Sequence, residues 1–236
     1  MIRIRFLPAL AALLALLCAA APLPLHAQNP PTDRDLAIYA GLHAAAATGD
    51  VAEIEKLIVE GERPDLQDSS SRTPLHVAVY RKQHKAAEAL MRLGANPNAL
   101  DLQRFDILTI ATTQNDLEMV KIALAGGAKA TNVTTQSNAT ALISAAHLGH
   151  VDILRALIEA KAPLDHKNNI GWTALIVGVV LGNGSKAHVD TVETLVKAGA
   201  DVDIKDRQGM TALAHARQRG YSDMVRILEP ASGRRT

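Results

Sequence analysis

"RTPLHVAVY", residues 72–80, decides how the chain is read, because its leucine is one of six at a nearly fixed interval. Leu75 has counterparts at Leu42, Leu108, Leu142, Leu175 and Leu213, in steps of 33, 33, 34, 33 and 38 residues. A second series, Gly61, Gly94, Gly127, Lys161 and Gly199, steps by 33, 33, 34 and 38. The two series share one period and the same long last step. That coincidence marks an internal repeat.

Each copy divides the same way. "TPLHVAVYRK" predicts a short helix, "HKAAEALMRL" a second helix and "GANPNALD" an exit turn. In the related "HVDILRALIEAK", apolar residues at Val151, Ile153, Leu154, Leu157 and Ile158 recur at helical spacing. Thr73, Asp106, Thr140, Thr173 and Thr211 stand where a first helix starts, and their oxygens can hold its free amides. Gly94, Gly127 and Gly199 end the second helix, where the backbone turns left-handed. Lys161 takes that slot once, at a cost of about 1 kcal/mol. Asp68, Asp101, Asn168 and Asp206 open the turns with short acceptor side chains.

"TPLHVAV", "GANPNALD", "AAHLGHVDILRALIEA" and "KAGADVDIKD" resemble ankyrin repeats, over about residues 34–229. The resemblance implies an all-α repeat solenoid of about six units, each a helix-turn-helix with a β-hairpin or turn. It departs in the third unit, which has Asp106-Ile107-Leu108-Thr109, and in the first, which begins "AGLH". A lone pair of short helices cannot bury its apolar face, whereas stacked neighbours can. The resemblance further implies structural rings at His43 and His76, each bonded to a neighbouring turn. It implies a concave face, made of turn tips and first helices, that binds a protein partner. Two columns of residues map onto that face. One precedes the helix start: Arg72, Phe105, Ala139, Trp172 and Met210. The other lies late in the first helix: Ala47, Tyr80, Thr113, His147, Val180 and Gln218. Of these, Arg72, Tyr80, Phe105, Thr113, His147, Trp172, Met210 and Gln218 are the expected partner-binding residues, since aromatics and arginine dominate binding hot spots.

"LGNGSKAH", residues 181–188, competes with this reading. Gly182-x-Gly184-x-x-Ala187 fits a dinucleotide-binding pattern, and Lys186 would be the charge it presents. The fifth unit, however, is five residues longer than the standard 33, and the excess falls between Leu181 and His188. The glycines then form an inter-helix insertion, and Gly182, Gly184 and Ser185 predict a mobile loop. A nucleotide-binding enzyme using this loop would need βαβ units that the chain does not supply.

The chain is 48% apolar but 3% aromatic, with a formal net charge of +1. So balanced a charge argues against nucleic acid as a partner. "MIRIRFLPALAALLALLCAAAPLPLHAQ" has two arginines, a short apolar stretch and a polar exit, the layout of a secretory signal peptide cut after Ala27. Its apolar core is short for a membrane span, so no stable anchor is expected after cleavage. Losing Arg3 and Arg5 takes the basic count from 25 to 23 against 24 acids, a net charge of −1. Cys18 leaves too, so an exported chain without disulfides fits a bacterial periplasm. Residues 28–33 read as a short linker and 230–236 as a flexible tail, in a monomeric protein.

No catalytic constellation emerges, and no cofactor or metal is expected. His147 and His150 have the spacing of a metal pair but lack a third ligand. The reading is a non-catalytic interaction module exported to the periplasm. The alternative is a dedicated inhibitor or immunity protein for one exported enzyme or toxin.

Overall fold

A computed structural model of the protein describes residues 28–233. The expected signal peptide and the last three residues lie outside them. After α1 (Asp33–Ile38), helices come in six pairs. These are α2 (Gly41–Thr48) and α3 (Val51–Val59), α4 (Pro74–Tyr80) and α5 (His84–Arg92), α6 (Ile107–Thr113) and α7 (Leu117–Ala125), α8 (Ala141–Leu148) and α9 (Val151–Glu159), α10 (Ala174–Val180) and α11 (Lys186–Lys197), and α12 (Ala212–Arg219) and α13 (Ser222–Leu228). First helices stack on first helices, α2 through α12, and second helices on second helices, α3 through α13. No strand forms among the described residues. The expected hairpins are turns, with an isolated antiparallel bridge between Thr134 and Ala139.

The repeat is written in local hydrogen bonds. Thr73, Asp106, Thr140, Thr173 and Thr211 all cap first helices, each accepting an amide three residues on. Asp68 Oδ1 accepts the amides of Ser70 and Arg72, both at 2.8 Å. Asp101, Asn168 and Asp206 repeat that double acceptance in their own turns. At the end of α5 Gly94 has φ +99°, and at the same slot after α9 Lys161 adopts φ +62°, where a side chain is strained.

Packing between units closes the core. The leucine series is at most 1% exposed from Leu42 to Leu175 and 9% exposed at Leu213, in the last unit of the described residues. His43 Nε2 donates to Arg72 O at 3.0 Å and His76 Nε2 to Phe105 O at 3.2 Å, so each ring ties its helix to the next turn. The third unit has Thr109 in that slot, and its hydroxyl meets that of Thr134 at 2.8 Å instead. His150 Nδ1 lies 2.9 Å from Thr112 O, also a tie between units.

Three segments make more contacts than their sequence suggests. The insertion does fall between α10 and α11, but it is not an open loop. Lys186 and Ala187 lengthen α11 to 12 residues, where the other second helices have 9 or 7. Residues 28–32, within the expected short linker, make contacts described below. The tail, as far as residue 233, is held: residues 229–231 form a 3-10 turn, Glu229 pairs with Arg217, and the Gly233 amide donates to Asp203 Oδ2 at 3.1 Å.

Candidate interaction face

The turn tips and first helices present the two expected columns, but the structure does not leave both open. Arg72 and Phe105 are each 1% exposed and Tyr80 is 7% exposed. Their placement as surface contacts for a partner is corrected. Arg72 turns inward because two carboxylates draw it. Its Nε lies 2.7 Å from Asp68 Oδ2 and its Nη2 3.0 Å from Asp35 Oδ2. Phe105 joins the core. Tyr80 donates to Asp101 Oδ2 at 3.3 Å, and burial, with Asp101 beside it, pushes its phenol pKa up.

A segment of the chain itself covers this part of the face. Arg72 Nη1 donates to Asn29 O at 3.1 Å, and Gln28 Nε2 donates to Thr113 Oγ1. Residues 28–32 thus run as a strap from α1 to the third repeat. Thr32 anchors it as a capping box with Asp35. Tyr39 donates to Asp68 Oδ2 at 2.7 Å and closes the cluster. Burial pushes the Asp68 carboxyl up, but the bonds from Tyr39 and Arg72 outweigh it and hold its pKa below the ordinary value. Sequence reasoning missed the strap. Its signals were the Thr32-x-x-Asp35 cap and the extended Pro30-Pro31 pair.

The other half of the face stays accessible. His147, Trp172 and Met210 are partly exposed, and Gln218 is exposed. Thr113 is half-buried at the strap's edge. The amides of Trp172 and Met210 are fixed by Asn168 and Asp206, so their positions are set by the turns. A depression of about 490 Å³ between α5 and α7 lies on the second helices and away from this face.

The glycine insertion is filled by protein. A Cβ on Gly182 would sit 2.2 Å from Gly178 O, and one on Gly184 2.9 Å from the Tyr221 ring. Tyr221 donates to Gly182 O at 3.3 Å, and His188 Nε2 to His147 O at 3.0 Å. Lys186 pairs with Asp190 at 2.7 Å. The glycines are there for close packing, which removes the motive for a phosphate cradle. Among the described residues no three metal-ligating side chains gather.

The model for ankyrin repeats (3 copies) matches residues 26–101, 42–131 and 108–206, and that for ankyrin repeats (many copies) matches residues 184–229. The chain belongs to the ankyrin repeat family. The ankyrin repeat protein YahD of Escherichia coli (strain K12) is 26% identical, covering 78% of this chain and 92% of YahD. Inversin of Gallus gallus is 36% identical over 36% of this chain, a match that spans only 8% of inversin. An ankyrin repeat domain from Acinetobacter baumannii AYE is similar at 37% identity with a TM-score of 0.77, covering 80% of this chain and 96% of that one. A chain of the Bdellovibrio bacteriovorus complex between predatory endopeptidase Bd0816 and immunity protein Bd3460 shares the fold at 22% identity, TM-score 0.67, covering 81% of this chain and 98% of that one. Ankyrin repeats imply a protein–protein interaction module.

Proposed function

We propose that the protein is a non-catalytic binding module, exported to the periplasm, that engages a partner protein through the concave face of repeats four to six. The observation that carries this reading is the strap. It covers the concave face over repeats two and three and leaves His147, Trp172, Met210 and Gln218 accessible. An aromatic anchor ringed by polar groups is what a binding hot spot needs. Export rests on the signal-like layout of residues 1–27 and on the lack of cysteine after it. A cut after Ala27 would keep Gln28 and its bond to Thr113.

Replacing Trp172 and Met210 with alanine is the test. Capture of a partner from a periplasmic extract should fall at least about ten-fold, the loss of one hot spot, while helical circular dichroism stays intact. Undiminished capture by the folded variant defeats the assignment. A second reading, a dedicated inhibitor or immunity protein for one exported enzyme, is favoured by the fold likeness to a chain of the endopeptidase–immunity complex. It predicts one tight, stoichiometric partner in the same experiment.

A further inference from the structure

Ser144 on α8 is 1% exposed, and its Oγ has no hydrogen-bond partner within the protein. One turn later His147 buries its Nδ1, equally unpaired. A buried polar atom left without a partner is costly, and such atoms are rare unless water, a ligand or another chain meets them. Both residues line one cavity of about 40 Å³ between the fourth and fifth repeats, with apolar walls from Ile143 and Leu181. A water needs roughly 10–15 Å³ of such space, so the cavity takes about three water-sized atoms, the size of a carboxylate.

The lining says which chemistry fits. Asn168 reaches the cavity, and its Oδ1 is already taken by the amides of Ile170 and Trp172, so it has only hydrogens to offer. The Ser144 hydroxyl is a donor, and His147 Nδ1 donates in its Nδ1–H tautomer. His188, packed against α8 from α11, spends Nε2 on His147 O and Nδ1 on Ser185 Oγ. No aspartate or glutamate lines the space. Donors converging between apolar walls favour an anionic acceptor, because charge-assisted bonds strengthen away from water.

We propose that this cavity receives the carboxylate of an aspartate side chain from the protein that docks on the concave face, with Ser144 and His147 as donors. The space, about 40 Å³, holds the carboxylate and leaves its stem outside. The inference rests on the reading of that face as the partner surface.

Two probes test it on the full chain: sodium acetate and N-acetyl-aspartate N-methylamide, with sodium chloride at matched ionic strength as control. The readout is the nuclear magnetic resonance of the His147 ring. Both carboxylates should produce a saturable shift that chloride does not, and S144A, followed on the same ring, and H147Q, followed on the backbone amide of Ser144, both verified as folded, should weaken binding about ten-fold, the loss of one bond to a charged group. Three results would overturn the proposal: no saturable shift with the blocked aspartate, unchanged affinity in folded S144A, or binding of acetate alone, which would make the cavity a site for free acids. If the probes fail while partner capture still depends on Trp172, only the aspartate pocket falls. If the probes bind but capture ignores Trp172, the docking reading falls, and the assignment of the pocket to a partner falls with it.

Discussion

Arg72 Nε lies 2.7 Å from Asp68 Oδ2, four residues back across one turn, with the guanidinium 1% exposed. The same side chain reaches Asp35 and Asn29 O, so one buried cation joins the turn, α1 and the strap. Replacing Arg72 by alanine leaves the mostly buried Asp68 carboxylate with only Tyr39 and backbone partners. Breaking one side of a buried pair costs about 3–5 kcal/mol. R72A should lose stability on that scale in urea unfolding. D35N, acting on a more exposed partner, should cost less while loosening residues 28–32, read as faster amide exchange at Gln28 and Asn29. A loss below about 1 kcal/mol in R72A would refute the role of the cluster.

Phe105 and Trp172 occupy equivalent slots in adjacent-but-one turns, yet one is buried and the other is partly exposed. Phe105→Ala should therefore behave as a core truncation, costing about 3–5 kcal/mol. Trp172→Ala should cost clearly less and act on binding instead. Equal losses from the two variants in thermal unfolding would contradict the burial difference.

Gly182 is packed so closely that alanine has no space. G182A should destabilise by about 1–3 kcal/mol, since the opposing group is the Gly178 carbonyl and not a flexible side chain. The amides of Leu181 and His188, bonded to Val177 O and Ser185 O on either side of the insertion, should exchange at rates close to those in the middle of α11, and H188A should speed them. Exchange across the insertion as fast as at a free terminus would restore the mobile-loop expectation.

Protonation should weaken the fold below neutrality. Burial lowers the His76 pKa, and burial, with His188 adding repulsion, lowers that of His147 from the ordinary 6.5. The folded state then binds fewer protons than the unfolded chain just below pH 6.5. The stabilisation is complete above that value and is lost as pH falls toward the folded pKa values, by at most about 1.4 kcal/mol per pH unit for each ring. Burial also pushes Asp116 and Asp206 up, but bonds from the Met119 amide and His84, and from His215 and backbone amides, outweigh it and hold both low. Their share is lost at more acid pH, through their own folded pKa values. The melting temperature should decline from pH 7.5 to 5, less steeply in H76Q. An identical slope in H76Q would exclude the His76 contribution.

The parts legible in the sequence share one physical property: they are settled within a few residues. Thr173 caps α10 through the amide of Ile176, and Asn168 folds its turn through Ile170 and Trp172, so both can be read from spacing. The fate of Arg72 could not be read this way. Its slot matches that of Trp172, and what buries it is Asp35 from another element and a strap from before the first repeat. Ser144 was likewise silent, because an orphaned hydroxyl is a property of what packs around it.

The 33-residue period, the six helix pairs, the caps and the turn acceptors were determined by the amino-acid order alone, since each rests on contacts two to four residues apart or on a leucine face that only a stacked neighbour can bury. Tertiary structure alone decided which half of the concave face is open. That choice depends on Gln28 meeting Thr113 across 85 residues and on His188 meeting His147 across 41, separations at which no local pattern carries information about exposure.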